Sequence, residues 1–144
     1  MSSMIAEILG DLCEVLRGAG VFEAVTVGPD ADSARWPRAE VLLISTDEKH
    51  PDDAPDQRWT ALRASVRIQV RAPRPSDALE RGLQLAQDAQ EAILADRFRG
   101  QRCRDLPIGR ATELGPATAA PQVKPPALAV SFEVRCHFES QGSQ

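Results

Sequence analysis

The sequence predicts an α+β fold, one mixed or antiparallel sheet of about five strands with two helices packed on one face, in the order α-β-β-β-α-β-β. Two strictly alternating segments carry this expectation. Leu62, Ala64, Val66, Ile68 and Val70 alternate with Arg63, Ser65, Arg67, Gln69 and Arg71. Leu128, Val130, Phe132, Val134, Cys136 and Phe138 likewise alternate with Ala129, Ser131, Glu133, Arg135, His137 and Glu139. A period of two is that of a half-buried strand. The third observation is an amphipathic helical pattern between them, which provides a cover for the apolar face. The polar face is left for water or for another chain.

In chain order, Ile5, Ile8, Leu9, Leu12 and Leu16 follow the i, i+3, i+4 spacing of a helix, with Ser2 or Ser3 as cap and Gly18-Ala19-Gly20 as stop. Residues 21–28, rich in β-branched side chains and closed by Gly28-Pro29-Asp30, read as the first strand. The next strand, Val41, Leu42, Leu43 and Ile44, shows no polar alternation. It is either central and covered twice or packed against a neighbouring subunit on its second face. After the long arginine-bearing strand, Asp77 with Glu80 forms a capping box for a second helix reaching about Asp96. Its apolar stripe is Leu79, Leu83, Ala86, Ala89 or Gln90, and Ile93 with Leu94. Residues 108–114 read as a weaker strand before the last long one.

At 144 residues the chain fits one domain, 1–144. Mobile loops are expected at 47–59 and 115–126, from their acidic, proline-rich and alanine-rich composition, and a frayed tail at 140–144. A net charge of -4 and a pI near 5.2 argue against a general nucleic-acid binder. No apolar run approaches the roughly 20 residues of a membrane span, and Met1-Ser2-Ser3-Met4 lacks the opening of a signal peptide, so the chain is expected in the cytosol. Cys13, Cys103 and Cys136, odd in number and widely spaced, read as reduced thiols, with Cys136 in the core.

Chemistry-bearing groups are sparse. His50 with Asp52 and Asp53 offers ligand types for a transition ion, but between prolines and with no second imidazole or thiol nearby the segment reads as solvated loop. His137, on the polar face of the last strand, could act as a base toward Cys103 or a carboxylate, against the commoner solvated or interfacial histidine. No nucleophile elbow and no phosphate cradle is present, since Gly18-Ala19-Gly20 follows a helix and does not open one. Catalytic, cofactor-binding and metal-binding residues are therefore expected to be none, and the chain is read as no enzyme.

The arginine row Arg63, Arg67 and Arg71 is more informative, with successive members about 13 Å apart on one strand face. Its bland reading is a solvated face balanced by acids such as Glu133 or Glu139. Its functional reading is a subunit interface, or a lumen through which DNA passes. With no aromatic residues interleaved there is no base-stacking platform. Trp36 and Trp59, beside loops, are the candidate interface anchors.

The opening helix 5–16, the step Val21, Phe22, Glu23, Ala24 and Val25, and the strand Val41, Leu42, Leu43 and Ile44 belong to a longer pattern. It continues through the strand ending at Pro73, the helix 78–95 and the strand 129–138. Together these resemble the tail terminator and minor tail protein (tail completion) family of long-tailed bacteriophages or prophage-derived particles. The resemblance covers nearly the whole chain and rests on pattern, with no invariant motif. It implies a structural virion subunit that closes into a ring, usually a hexamer, on the last ring of the tail tube and meets the head-tail connector or stopper. The implied partners are the chain itself, the tube protein and the connector, with DNA at most passing through the lumen, no membrane and no cofactor. The implied location is the virion tail or neck, assembled in the cytoplasm of a bacterial host. Another neck or tail-completion protein fits the same pattern. A cytosolic dimeric α+β module that holds a small ligand or peptide, and a small enzyme using His50 or His137, are the readings from other classes.

Overall fold

The computed structural model describes residues 3–29, 35–49, 58–100, 102–103, 106–116 and 127–140. Two helices, α1 (Met4–Gly18) and α2 (Pro75–Leu94), accompany five strands: β1 (Ala24–Val27), β2 (Arg38–Lys49), β3 (Arg58–Arg71), β4 (Thr112–Pro116) and β5 (Ala127–Ser140). The strands form one sheet in the order β1-β2-β3-β5-β4. Only β1 and β2 run parallel, which makes the sheet mixed.

Helix α1 begins where Ser3 accepts a hydrogen bond from the Ala6 amide at 3.0 Å, satisfying one of the amides that a helix start leaves over. Its buried stripe Ile8, Leu9, Leu12 and Leu16 lies over β1 and β2, and α2 lies over β3 and β5. Both helices therefore cover the face formed by Ala39 and Val41, by Leu62, Ala64, Val66, Ile68 and Val70, and by Val130, Phe132, Val134, Cys136 and Phe138, all buried.

The two long strands are longer than the alternation alone indicated, and β2 is the larger departure. It starts at Arg38 and runs through the polar residues Ser45, Thr46, Asp47, Glu48 and Lys49, because β3 supplies backbone partners along its whole length, from Arg38↔Gln69 to Lys49↔Trp59. Asp47, Glu48, Lys49, Arg58, Trp59, Gly115, Pro116 and Ser140, expected in loops or tail, thus lie in strands. The remainder of the expected loops and tail falls outside the described residues. Beta strand β1 is shorter than the expected 21–28. Val21 and Phe22 instead pack against the core as a connecting turn.

Helix α2 starts three residues earlier than the capping-box reading placed it. Arg74 is the cap residue, makes no side-chain capping bond, and is followed by Pro75 in the first turn, where a missing amide costs nothing. Its buried stripe also differs. Gly82 and Leu85 face the sheet, while Leu83 and Leu94 point outward. The helix lies close on β5 at Gly82, where a Cβ would stand 3.2 Å from Val130 Cγ1 and 3.3 Å from Val130 Cγ2, tighter than an ordinary contact. Gly82→Val is accordingly expected to cost about 1–3 kcal/mol through overpacking against Val130, a loss only slightly offset by the better helix propensity of valine, read as a lower urea midpoint with an unchanged m-value.

Cys103 and Cys136 form a disulfide with Cα atoms 5.8 Å apart, which corrects the expectation of three reduced thiols. They lie 33 positions apart, and the fold closes that gap because the chain leaving α2 turns back onto the helix-covered face of β5. Cys136 is in the core as expected. Cys13 is a buried free thiol, its pKa pushed up by that burial. Among the described residues, no helix is long and apolar enough to cross a membrane.

Candidate interaction surface

The sheet face away from the helices is where the sequence left its polar side chains, and at one end it is nearly closed to water. On β2, Arg38 and Glu40 stand across from Gln69 and Arg67 of β3. Arg38 Nε donates to Gln69 Oε1 at 2.7 Å, and Gln69 Nε2 donates to Glu40 Oε1 at 2.9 Å. The Arg67 guanidinium stands 3.8 Å from the same Glu40 oxygen. Arg38, Glu40 and Gln69 are each only 1% exposed. Burial of two charges is tolerable only with such partners, since each would otherwise carry an uncompensated desolvation cost. Trp36 covers the end of this chain of contacts. Its ring lies 4.2 Å from the Arg38 guanidinium and 5.9 Å from that of Arg71, within cation–π range, and it packs on the small residues Ala127 and Ala129 of β5.

Toward the other end the face opens. Arg63 holds Glu133 of β5 through two bonds, Nε to Oε1 at 2.5 Å and a terminal nitrogen to Oε2 at 3.2 Å, and Arg135 reaches the same carboxylate at 3.2 Å. The hydrogen bond from Arg63 is the main reason that Glu133 titrates at about 2 instead of 4.5, with Arg135 adding to it against a smaller desolvation penalty. The same bond raises the pKa of Arg63. A carboxylate whose folded pKa lies below its unfolded value adds stability that is complete above about 4.5 and is lost as pH falls toward 2. Glu133→Gln should therefore flatten the acid limb of a stability-versus-pH curve in that window. Urea midpoints of both proteins measured from pH 5 to pH 2 check this.

The three arginines of the row share this face, as their spacing requires, and each is engaged within the chain: Arg63 with Glu133, Arg67 with Glu40 and Arg71 with Trp36. Glu133 is the acid that the sequence offered. Glu40 is one it did not, because β2 was read as starting at Val41. Alternation of Arg38 and Glu40 with Ala39 and Val41 was the available signal. Trp36 is half-buried against its own sheet, and Trp59 lies inside β3 on the same face, half-buried, across from Lys49 and Glu139. His137 stands on this face across from Ala61, half-buried. Its suggested partner Cys103 is not available to it, being bonded to Cys136 on the opposite face. His50, Asp52 and Asp53 lie outside the described residues. Among the described residues, no group of three or more His, Cys, Asp or Glu side chains could hold a metal ion.

The second exposed feature is the outer edge of β2. Strand β1 lies beside Arg38, Ala39, Glu40 and Val41 only, and the Gly28 amide closes that pairing on the Val41 carbonyl at 2.8 Å. Among the described residues no strand continues along 42–47. A bulge between Leu43 and Ser45 bends β2 there, and Leu43 and Ile44 are each 48% exposed. Of the two readings of the apolar run, Val41 is covered within the chain and Leu43 and Ile44 are not.

No protein-family model matches the chain, and no curated protein does. Among solved structures, the chain is similar to one in the virion of a native gene transfer agent particle, with a TM-score of 0.46, 12% identity and 92% of each chain covered. It is also similar to the sheath/tube terminator of an extracellular contractile injection system, PVC, in its extended state, with a TM-score of 0.42 and 11% identity. All of this chain but 59% of that one is covered. At such scores and identities the likeness assigns no function by itself.

Proposed function

We propose that the chain is a structural assembly protein of a phage-tail-like particle, a tail terminator that closes into a ring, a hexamer, on the end of the tail tube and joins it to the head connector. The observation that best supports this reading is the half-covered strand β2. Its backbone edge and its apolar side chains Leu43 and Ile44 are left over by the fold at the same place. A strand edge in that state is a template for another chain. The element order that resembles tail terminators agrees with it. So does the opposite face, where Arg63, Arg67 and Arg71 are each engaged within the chain and so need no acidic partner to hold them. In this reading the chain acts through its surface and catalyses nothing, and its place is the tail or neck of the particle.

The alternative of a small-ligand module finds less support. The depression of about 290 Å³ on α2 is lined by Asp77, Glu80, Arg81 and Gln84, without the apolar walls of a ligand pocket. The test is to add the purified chain to polymerising tube subunits of the same particle and measure tube lengths by electron microscopy. Arrest of growth, with extra density at one end, supports the terminator reading. Tubes that lengthen unchanged while the chain stays in the supernatant contradict it.

A further inference from the structure

We propose that the buried set Arg38, Glu40, Gln69 and Arg67 is a register lock: it holds β2 in one alignment on β3 among several that the apolar residues of the two strands would accept. The core face of β3 repeats every two residues through Leu62, Ala64, Val66, Ile68 and Val70. A displacement of β2 by two residues in either direction therefore still sets Ala39, Val41 and Leu43 across from apolar partners. The run Val41, Leu42, Leu43 and Ile44 has no polar alternation, so along it a displacement by one residue also exchanges apolar side chains for apolar ones. Hydrophobic pairing alone leaves the alignment of this stretch weakly specified.

The charged residues remove that freedom. In the observed register Arg38 stands across from the neutral Gln69, and Glu40 stands across from Arg67. Gln69 has an arginine two residues away on each side, Arg67 and Arg71, on the same face of β3. Moving β2 by two residues one way puts Arg38 across from Arg67 and Glu40 across from Ser65. Moving it the other way puts Arg38 across from Arg71 and Glu40 across from Gln69. Both displaced alignments oppose two guanidinium groups directly, and both part Glu40 from the arginine across from it. A move by one residue turns Arg38 and Glu40 onto the helix-covered face, against Val66, Ile68 or Val70. Because Arg38 and Glu40 are each 1% exposed, water screens little of these penalties. A buried charged set adds little net stability over apolar residues of the same volume, and its best-attested use is to fix one arrangement. The register in turn decides where the bulge between Leu43 and Ser45 falls, and with it which residues stand out beside the uncovered edge of β2. The lock holds whether or not the chain forms rings, so it stands or falls apart from the assembly reading.

Nuclear magnetic resonance of the isotopically labelled chain tests the lock, because cross-strand backbone contacts between β2 and β3 report the register residue by residue. Wild type is expected to give the contacts of one register, and two sets there would already contradict the lock. Arg38→Met, Glu40→Met and Gln69→Leu together take the set out, and this variant should show a second set of contacts displaced by one or two residues. The wild-type contacts alone in the folded triple variant overturn the lock. If the triple variant does not fold, the exchange of Arg67→Gln with Gln69→Arg decides. That exchange keeps the composition but sets Arg38 across from an arginine in the observed register and across from a glutamine in the register displaced by two. The contacts should move with the glutamine and pair Arg38 with position 67. Retention of the wild-type register in the exchange variant, or loss of its fold, overturns the lock.

Discussion

Replacing Glu40 with alanine is expected to destabilise the protein by about 3–5 kcal/mol, a large share of the stability of a domain this size. Glu40 is 1% exposed and receives Gln69, with Arg67 at 3.8 Å and Arg38 one residue-pair away through the same glutamine. Its removal leaves a buried guanidinium facing a partner that no longer completes the chain of contacts, and the cost is that of stranded charge more than of a lost bond. The comparison that isolates this is the triple variant Arg38→Met, Gln69→Leu and Glu40→Met. By taking out the polar set together it should return to within about 1–2 kcal/mol of wild type. Urea unfolding of the two variants decides the matter. A loss under about 1 kcal/mol for Glu40→Ala would mean that water or another group reaches the site.

The second large effect concerns the disulfide. Removing a bond that closes a loop of 33 residues should cost about 3–4 kcal/mol by the chain-entropy estimate. The Cys103→Ala and Cys136→Ala double variant is expected to show that loss against oxidised wild type. Wild type unfolded in the presence of a dithiol should approach the variant's midpoint. Cys13 gives the control, because alkylation of the denatured, unreduced protein should then modify one cysteine and not three. Three modified cysteines, together with the same midpoint with and without dithiol, would contradict the bond.

How far the sequence disclosed these features follows from the range over which each is determined. Helix α1 was legible because its cap, stripe and stop all lie within the segment, with Ser3 the one of the two candidate serines that caps it. The alternation of β3 and β5 was legible for the same reason, and with it the face on which Arg63, Arg67 and Arg71 stand. The buried set on the other face was not, because Arg38 meets Gln69 from 31 residues away and Glu40 from 29, and only the β2–β3 register makes charged residues acceptable in a covered strand. The Cys103–Cys136 pairing was hidden in the same way, since three cysteines without a spacing motif do not announce which two meet. Leu83 and Leu94 looked like core on the periodicity of α2, but the buried stripe runs through Ala78, Gly82, Leu85, Ala86, Ala89 and Ile93, in which a glycine and alanines carry no strong apolar signal, and the two leucines face outward.

The outward set is where the functional account now stands. Leu43 and Ile44 are large apolar residues that this fold exposes beside the uncovered edge of β2, and the ring reading assigns them to contacts between copies. The most direct test of assembly is the solution mass by light scattering across a concentration series, with negative-stain images of the same fractions and of tube ends incubated with the chain. The account predicts closed rings, either free or seated on the tube. A monomer at every concentration that also leaves tube ends bare would contradict it.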